Sequence, residues 1–490
     1  MNKPLRRIAL FCGLLVLALL IRDNWLQYVQ ADELRTDPKN RRVTIERYAT
    51  PRGDIIVDGD PITGSTKSTN SDFEYKRSYK NGPMWAPVTG YVSQAFGASQ
   101  LENLDDGILT GNDDRLFFRN TLDMVTGKKK QGGNVVTTLN GAAQKAAFEG
   151  LGNKKGAVAA IDPKTGAILA LASTPSYDPS SFAGNSNTDS KAWNKLQKKN
   201  DPDDPMLNRA LRETYPPGST FKVVTAAAAL ENGLVPDADT KTDSPDPWTM
   251  PGTTTKLPNE GNLPCKNATL RTALQVSCNT VFGKIGADLG NDKMLAEAKK
   301  FGFGSEQFTP VRSNASVFSD GMNTSQTALS SIGQYNTAAT PLQMAMVASA
   351  VANQGTLMKP YMVSELSTHN LDVIEHTDPQ KLSQPLSQKN AQVLQSMMET
   401  VIKPGGTGTK AAIPGVTVGG KTGTAQHGVD NSEKPYAWFI SYAKLPDGSS
   451  PVAVAVVVED GSANRDDISG GGLAAPIARD VMKAVIDSKK

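Results

Sequence analysis

Tyr215-Pro216-Pro217-Gly218-Ser219-Thr220-Phe221-Lys222-Val223-Val224-Thr225-Ala226-Ala227-Ala228-Ala229-Leu230-Glu231 reads as a stiff, non-helical lead-in followed by an apolar, alanine-rich helix, which Asn232-Gly233 ends. Ser219 opens that helix. Residues three apart share a helix face, so the Lys222 ammonium can reach the Ser219 hydroxyl, and the positive end of the helix dipole favours negative charge there. A lysine on a face otherwise made of Val, Ala and Leu needs a reason to be buried. To act as base for a serine nucleophile it must lose its proton near neutral pH, which burial and a neighbouring cation such as Lys421 promote. A capped helix with an incidental lysine is the plainer account of the same residues.

A single Ser-x-x-Lys string says little, since a chain of this length holds about two by chance. The second one, Ser441-Tyr442-Ala443-Lys444, follows Trp438-Phe439-Ile440 in a strand-like run where positions three apart face opposite ways. Order separates the first from the second. After Ser219-Thr220-Phe221-Lys222 come Ser277-Cys278-Asn279 and then Lys421-Thr422-Gly423. Lys164-Thr165-Gly166 also matches the last string, but it reads as a tight turn between the strands around Ile161 and Ile168. Ser68-Thr69-Asn70 and Ser462-Ala463-Asn464 match the middle string and fall outside the ordered set.

Ser277 lies between two short helical patterns, Leu270 to Val276 and Val281 to Gly286, at a helix-helix joint. Its hydroxyl can relay a proton between a leaving group and Lys222, and the Asn279 amide offers donors and an acceptor to a peptide-like substrate. The third string sits in Val416-Thr417-Val418-Gly419-Gly420-Lys421-Thr422-Gly423-Thr424-Ala425. Here β-branched residues with glycines predict a strand that something approaches closely, one wall of a cleft. Lys421, Thr422 and Thr424 offer a cation and hydroxyls to a substrate carboxylate, with Gly423 in the same substrate-binding stretch. The backbone N–H groups of Ser219 and Thr424 can form an oxyanion hole.

The three ordered strings, with Tyr215-Pro216-Pro217-Gly218 before the first and Ala437-Trp438-Phe439 after the last, resemble those of the penicillin-recognising serine acyltransferases, the group of penicillin-binding proteins and serine β-lactamases. Gly156 to Ala170 resembles the first hairpin of a transpeptidase domain. Thr340-Pro341-Leu342-Gln343-Met344-Ala345 with Ala352-Asn353-Gln354-Gly355 resembles its later helix. Pro51-Arg52-Gly53-Asp54-Ile55-Ile56-Val57-Asp58 resembles the opening motif of class B, monofunctional penicillin-binding proteins, and among these the chain is most similar to the actinobacterial group called penicillin-binding protein A. One departure is Gly333-Gln334-Tyr335-Asn336, where such proteins usually carry Gly or an acidic residue after Gln.

The resemblance implies an α/β (α+β) chain: a serine β-lactamase/transpeptidase-like domain with a central antiparallel sheet flanked by helices, plus an N-terminal pedestal. It implies a D,D-transpeptidase that cross-links peptidoglycan stem peptides through an acyl-enzyme on Ser219 and is acylated by β-lactam antibiotics. Lys222 would be the acylation base, Ser277 the proton relay, Asn279 a substrate clamp, and Lys421, Thr422, Gly423 and Thr424 the grip on the substrate carboxylate. No cofactor is expected. Residues 1–31 are read as cytoplasmic tip and membrane anchor, 32–150 as pedestal, and 151–490 as the penicillin-binding domain.

Lys3, Arg6 and Arg7 precede the apolar run Ile8 to Ile21, and Trp25 and Tyr28 follow like an interfacial belt. This predicts a membrane segment whose basic flank keeps the N-terminus inside, although the run is short enough that a signal peptide cleaved after Val29-Gln30-Ala31 is the alternative. A net charge of +3 gives no footprint for nucleic acid, and three histidines without His-Glu-x-x-His give none for zinc. Cys265 and Cys278 would lie outside the cytoplasm and could pair, but a helix between them would hold them roughly 13 Å apart unless the Cys265 segment folds back. Both outcomes stay open at this point.

Within enzymes the alternatives are a D,D-carboxypeptidase or a β-lactamase, in which water attacks the acyl-enzyme. The pedestal and anchor favour wall synthesis, and no obvious Glu-x-x-x-Asn string follows Ser277 to serve as a deacylating base. A non-catalytic β-lactam sensor or a scaffold for division proteins is the alternative from another class. A sensor would need more spanning segments and a zinc protease motif, and an idle scaffold would be expected to have lost a motif residue. Other cell-wall synthesis or division membrane proteins are the expected partners, beside the substrate and the membrane.

Overall fold

The computed structural model describes residues 3–36, 40–68, 72–116, 130–197, 201, 203–428, 432–459 and 468–489. Helix α1 (Lys3–Tyr28) takes in the whole predicted apolar run and continues through Trp25. It is long and apolar enough to cross a membrane, and none of its residues is buried against the rest of the chain. Of the two middle-string decoys, Thr69 and Asn70 of the first and all of the second lie outside the described residues.

Helix α2 (Arg41–Arg47) leads into the pedestal. Strand β1 (Ile55–Val57) pairs antiparallel with β2 (Asp60–Pro61) and parallel with β3 (Asn134–Thr137). Under this sheet lies a buried ionic cluster built on the Pro51-Arg52-Gly53 motif. Arg52 Nε donates to Glu102 Oε2 at 2.7 Å, and Arg77 Nε donates to Glu102 Oε1 at 2.6 Å. Arg77 Nη1 also caps the Gly53 carbonyl at 2.7 Å. One carboxylate thus holds two guanidiniums, each through a charge-assisted bond.

Helix α3 (Gly141–Leu151) follows, then β4 (Lys155–Ile161) and β5 (Ile168–Thr174), whose connection is the predicted turn, closed by Gly166 N–H to the Asp162 carbonyl at 2.9 Å. Among the helices that follow, those that shape the site and its core are α4 (Lys222–Glu231), α5 (Leu270–Val276), α6 (Asn279–Leu289) and α7 (Pro341–Ala352). The hairpin β6 (Val363–Ser367) and β7 (Val373–His376) returns to the pedestal sheet, giving the order β7-β6-β3-β1-β2. The pedestal sheet is therefore completed by a segment more than two hundred residues downstream, a long-range pairing with no local signature in sequence.

Strands β8 (Thr417–Ala425), β9 (Tyr436–Lys444) and β10 (Val452–Glu459) join β4 and β5 in an antiparallel sheet of order β8-β9-β10-β4-β5. An antiparallel strand with one wet face would alternate in polarity, yet β10 is Val-Ala-Val-Ala-Val-Val-Val, because helices cover both faces. On one side lies α8 (Ala475–Ser488), where Met482 meets the Ser441 hydroxyl. On the other, Tyr442 donates to the Gln395 carbonyl at 3.2 Å, and Gln395 in turn donates to the Val351 carbonyl of α7. Every residue of α7 is buried, as a helix apolar on all sides must be. Ser441 and Lys444 thus lie on a strand, with Ser441 turned into the core. The sheet leaves β8, which carries Lys421 to Thr424, as an edge.

Candidate active site

Ser219 lies in a tight turn, Gly218–Phe221, with i to i+3 geometry that runs straight into α4. Residues three apart eclipse in such a turn, which sets Lys222 over Ser219. Several hydrogen bonds fix the lead-in, among them Trp438 Nε1 donating to the Pro216 carbonyl at 3.0 Å and Gly218 N–H donating to the Gly333 carbonyl at 2.9 Å. The turn presses on the edge strand. A Cβ on Gly423 would sit 3.0 Å from the Pro217 carbonyl oxygen, and one on Gly218, whose φ is +52°, would sit 3.0 Å from the Ala425 side chain. What approaches the glycine-bearing strand so closely is the Ser219 turn itself.

The Lys222 side chain is fully buried. It donates to the Ser277 carbonyl at 2.8 Å, to Asn279 Oδ1 at 2.7 Å and to Ser277 Oγ at 3.2 Å. From the opposite wall, Lys421 Nζ donates to the same Ser277 Oγ at 2.9 Å and to the Thr422 carbonyl at 2.8 Å. The expected Lys222 to Ser219 hydrogen bond is absent among the described residues, because three acceptors on the middle string already take the ammonium's three protons. The Ser219 hydroxyl lies at the half-buried start of the same turn.

The charges follow from burial. Desolvation first, and the Lys421 cation second, hold Lys222 well below the ordinary lysine pKa, with Glu260 opposing. Desolvation also brings Lys421 down to about 7, again opposed by Glu260. Two lysines that share one hydroxyl cannot both stay charged cheaply.

Ser277 ends α5 in a left-handed conformation, φ 69° and ψ 44°, which turns its carbonyl and its hydroxyl to the lysines. Cys278 is bonded to Cys265, so the Cys265 segment does fold back, and the pairing left open by the sequence is made. Reducing that bridge removes a cross-link over a sequence separation of 13. The expected loss is about 3 kcal/mol of stability, read as a fall in melting temperature with and without reductant.

Along β8, Lys421 and Gly423 face the Ser219 turn, while Thr422 has the other parity and its hydroxyl lies 2.6 Å from that of Thr407. Thr424 is half-buried on the same edge, two residues beyond. The structure therefore gathers Ser219, Lys222, Ser277, Asn279 and Lys421 into one cleft, with Thr422, Gly423 and Thr424 along its wall.

Residues 156–483 match the penicillin binding protein transpeptidase domain, and residues 52–135 match the penicillin binding protein A dimerisation domain. The chain belongs to the penicillin-binding protein transpeptidases. It is 40% identical to a peptidoglycan D,D-transpeptidase, PbpA, of Mycolicibacterium smegmatis, over 99% of each chain. It is likewise 40% identical over the full length of both chains to the PbpA of Mycobacterium tuberculosis. The structure of penicillin-binding protein A from M. tuberculosis as its imipenem acyl-enzyme superposes with a TM-score of 0.82 at 38% identity, over 90% of this chain and all of that one. Its penicillin G acyl-enzyme gives 0.81 at 39% identity, over 89% and 99%. The family thus matches the reading of the three ordered strings, and the fold is the expected antiparallel sheet with flanking helices beside a pedestal. Sequence reasoning places the loop Asp239 to Leu263 around the cleft without singling out Asn259 within it, and it missed Thr407, which stands at no motif spacing from the residue it touches.

Proposed function

We propose that this transpeptidase acts on peptidoglycan stem peptides from a membrane-anchored position, with Ser219 as nucleophile. Neutral Lys222 takes the Ser219 proton as Oγ attacks the penultimate D-alanyl carbonyl. The oxyanion that forms is met by the backbone N–H groups of Ser219 and Thr424. Collapse breaks the peptide bond, and the leaving D-alanine nitrogen receives a proton through Ser277. An amine of a neighbouring stem then attacks the ester, gives up a proton along the same path and frees Ser219, leaving a new cross-link. Lys421, Thr422, Gly423 and Thr424 hold the terminal carboxylate, and Asn279 holds the peptide backbone. A β-lactam follows the first half of this path and leaves Ser219 acylated.

The observation that carries these roles is the convergence of Lys222 and Lys421, both fully buried, on one hydroxyl, Ser277 Oγ, beside the Ser219 turn. Buried lysines with lowered pKa values beside a nucleophile are what base-assisted acyl transfer requires. Helix α1 would hold the chain in the membrane as a single span with the catalytic domain outside the cytoplasm. Residues 32–150 would lift the cleft toward the wall and meet other cell-wall synthesis or division membrane proteins. Incubation of the full chain in detergent with labelled penicillin, followed by mass spectrometry, tests the reading. A stable adduct on Ser219 that Ser219→Ala abolishes is expected. Rapid release of hydrolysed drug would favour a lactamase, and a folded protein without any adduct would favour an idle scaffold.

A further inference from the structure

Helix α6 begins at Asn279, and its first backbone N–H groups have no acceptor within the helix. The usual remedy is a side chain at the preceding residue, but that residue is Cys278, whose sulfur is committed to Cys265, and it makes no capping bond. The cap comes from elsewhere. Asn259 Oδ1 accepts from Asn279 N–H at 2.7 Å and from Thr280 N–H at 3.1 Å. Asn259 Nδ2 donates to Thr280 Oγ1 at 3.0 Å, and the neighbouring Pro258 carbonyl accepts from Asn279 Nδ2 at 3.0 Å. Both the backbone and the amide of Asn279 are thus held by one outside arm, residues 258–259. The other end of that amide, Oδ1, receives the Lys222 ammonium at 2.7 Å.

We propose that Asn259 is a positioning residue for acylation: by capping α6 it fixes Asn279, and through Asn279 it holds Lys222 in register with Ser219 and Ser277. This rests on Lys222 being the base, as assigned above. Asn259 touches neither substrate nor the reacting atoms. Its action is geometric, and it is relayed through two hydrogen bonds in series.

The effect should reach the charge of Lys222 as well as its place. The charged groups that face Lys222 are Lys421 from β8 and Glu260, next after the arm, while the Phe282 ring of α6 lies 5.8 Å from Nζ. A loosened Asn279 gives the ammonium a poorer acceptor, which disfavours its charged form. A carboxylate at position 259 would do the reverse and still cap the helix, since Asp ranks with Asn as a cap.

The test is the second-order rate of acylation by a fluorescent penicillin, measured against pH on the full chain in detergent, with melting temperatures alongside. Asn259→Ala is expected to lower the maximal rate by about ten-fold while its acid limb moves to lower pH. Asn259→Asp is expected to stay within about three-fold of the native rate with its acid limb moved to higher pH. A folded Asn259→Ala protein with native rate and native profile would overturn the proposal. So would a folded Asn259→Asp protein as slow as the alanine variant, and where Asn259→Ala does not fold, the aspartate variant alone decides. Ser219→Ala, run in parallel, separates this from the site assignment: labelling that persists there would remove Ser219 as nucleophile whatever position 259 does.

Discussion

Replacing Lys222 by methionine is expected to slow acylation of Ser219 by about a thousand-fold, the range lost with a general base. The side chain keeps its length and apolar stem but loses the nitrogen that contacts Ser277 and Asn279. About 4 kcal/mol of transition-state stabilisation goes with it. Native acylation should rise with pH as Lys222 sheds its proton, below the ordinary lysine range because burial and Lys421 disfavour the charge. It should then fall above about 7, where Lys421 of the free enzyme loses the charge that grips a carboxylate. In Lys222→Met the rising limb should vanish and the falling limb remain. Stopped-flow acylation of the full chain across pH reads both limbs, and a rate within ten-fold of native would reassign the proton to another group, Lys421 first.

The same shift predicts a change in stability. Between about 7 and 10.5 the unfolded chain binds a proton at residue 421 that the folded chain does not. Stability from this group therefore rises with pH across that window, since the unfolded state is the one that loses a proton. In Lys421→Met that contribution to the slope should disappear, which urea titrations at neutral and alkaline pH would reveal.

The parts of this molecule that sequence makes legible are those whose chemistry and local geometry coincide. Lys222 stands out because a cation among Val and Ala is costly, and its spacing from Ser219 is a helical one. Lys421 stands out because a strand of β-branched residues carries a lysine beside glycines. Even the decoy strings were separable, since Ser441 falls on a strand and Lys164 in a hairpin turn, as found. What could not be read depends on distant segments meeting. The cap on Asn279 comes from Asn259, with a disulfide removing the local alternative, and the pedestal sheet is closed by Val363 to His376. No periodicity marks such pairings, because each strand or turn is locally ordinary. The Lys222 contacts also differ from the simplest expectation for the same reason: acceptors on the Ser277 joint compete for its protons, and only folding brings them there.

Glu102→Ala should be the most damaging single change outside the cleft. Glu102 and Arg77 side chains are essentially inaccessible, at 0% and 1% exposure, and Arg52 is at 8%. Removing the carboxylate leaves two buried guanidiniums facing each other without their shared acceptor. Arg77 Nη2 is already without a partner among the described residues; what would remain is the Gly53 carbonyl and Asp54, at 3.7 Å, for Arg77, and Asp106 for Arg52. Breaking a buried ion pair in this way costs about 3–5 kcal/mol, more than the pair itself contributes over an apolar replacement. Glu102→Gln keeps an acceptor but not the charge, and should lie between. The cluster anchors Pro51 to Gly53 and the start of β1, far in sequence from Ser219, and its loss should act on the pedestal. The expected result is therefore a lowered pedestal unfolding transition with penicillin acylation of the still-folded protein within about two-fold of native, as for independent sites. Hydrogen exchange on β1 and on β8 in the same sample distinguishes the outcomes. Loss of protection in β1 alone would mean that the two sheets unfold as separate units, although the pedestal sheet takes its last two strands from within the larger domain's stretch of chain. Equal loss in β8 would mean that Val363 to His376 couples them, and then a pedestal mutation would slow acylation too.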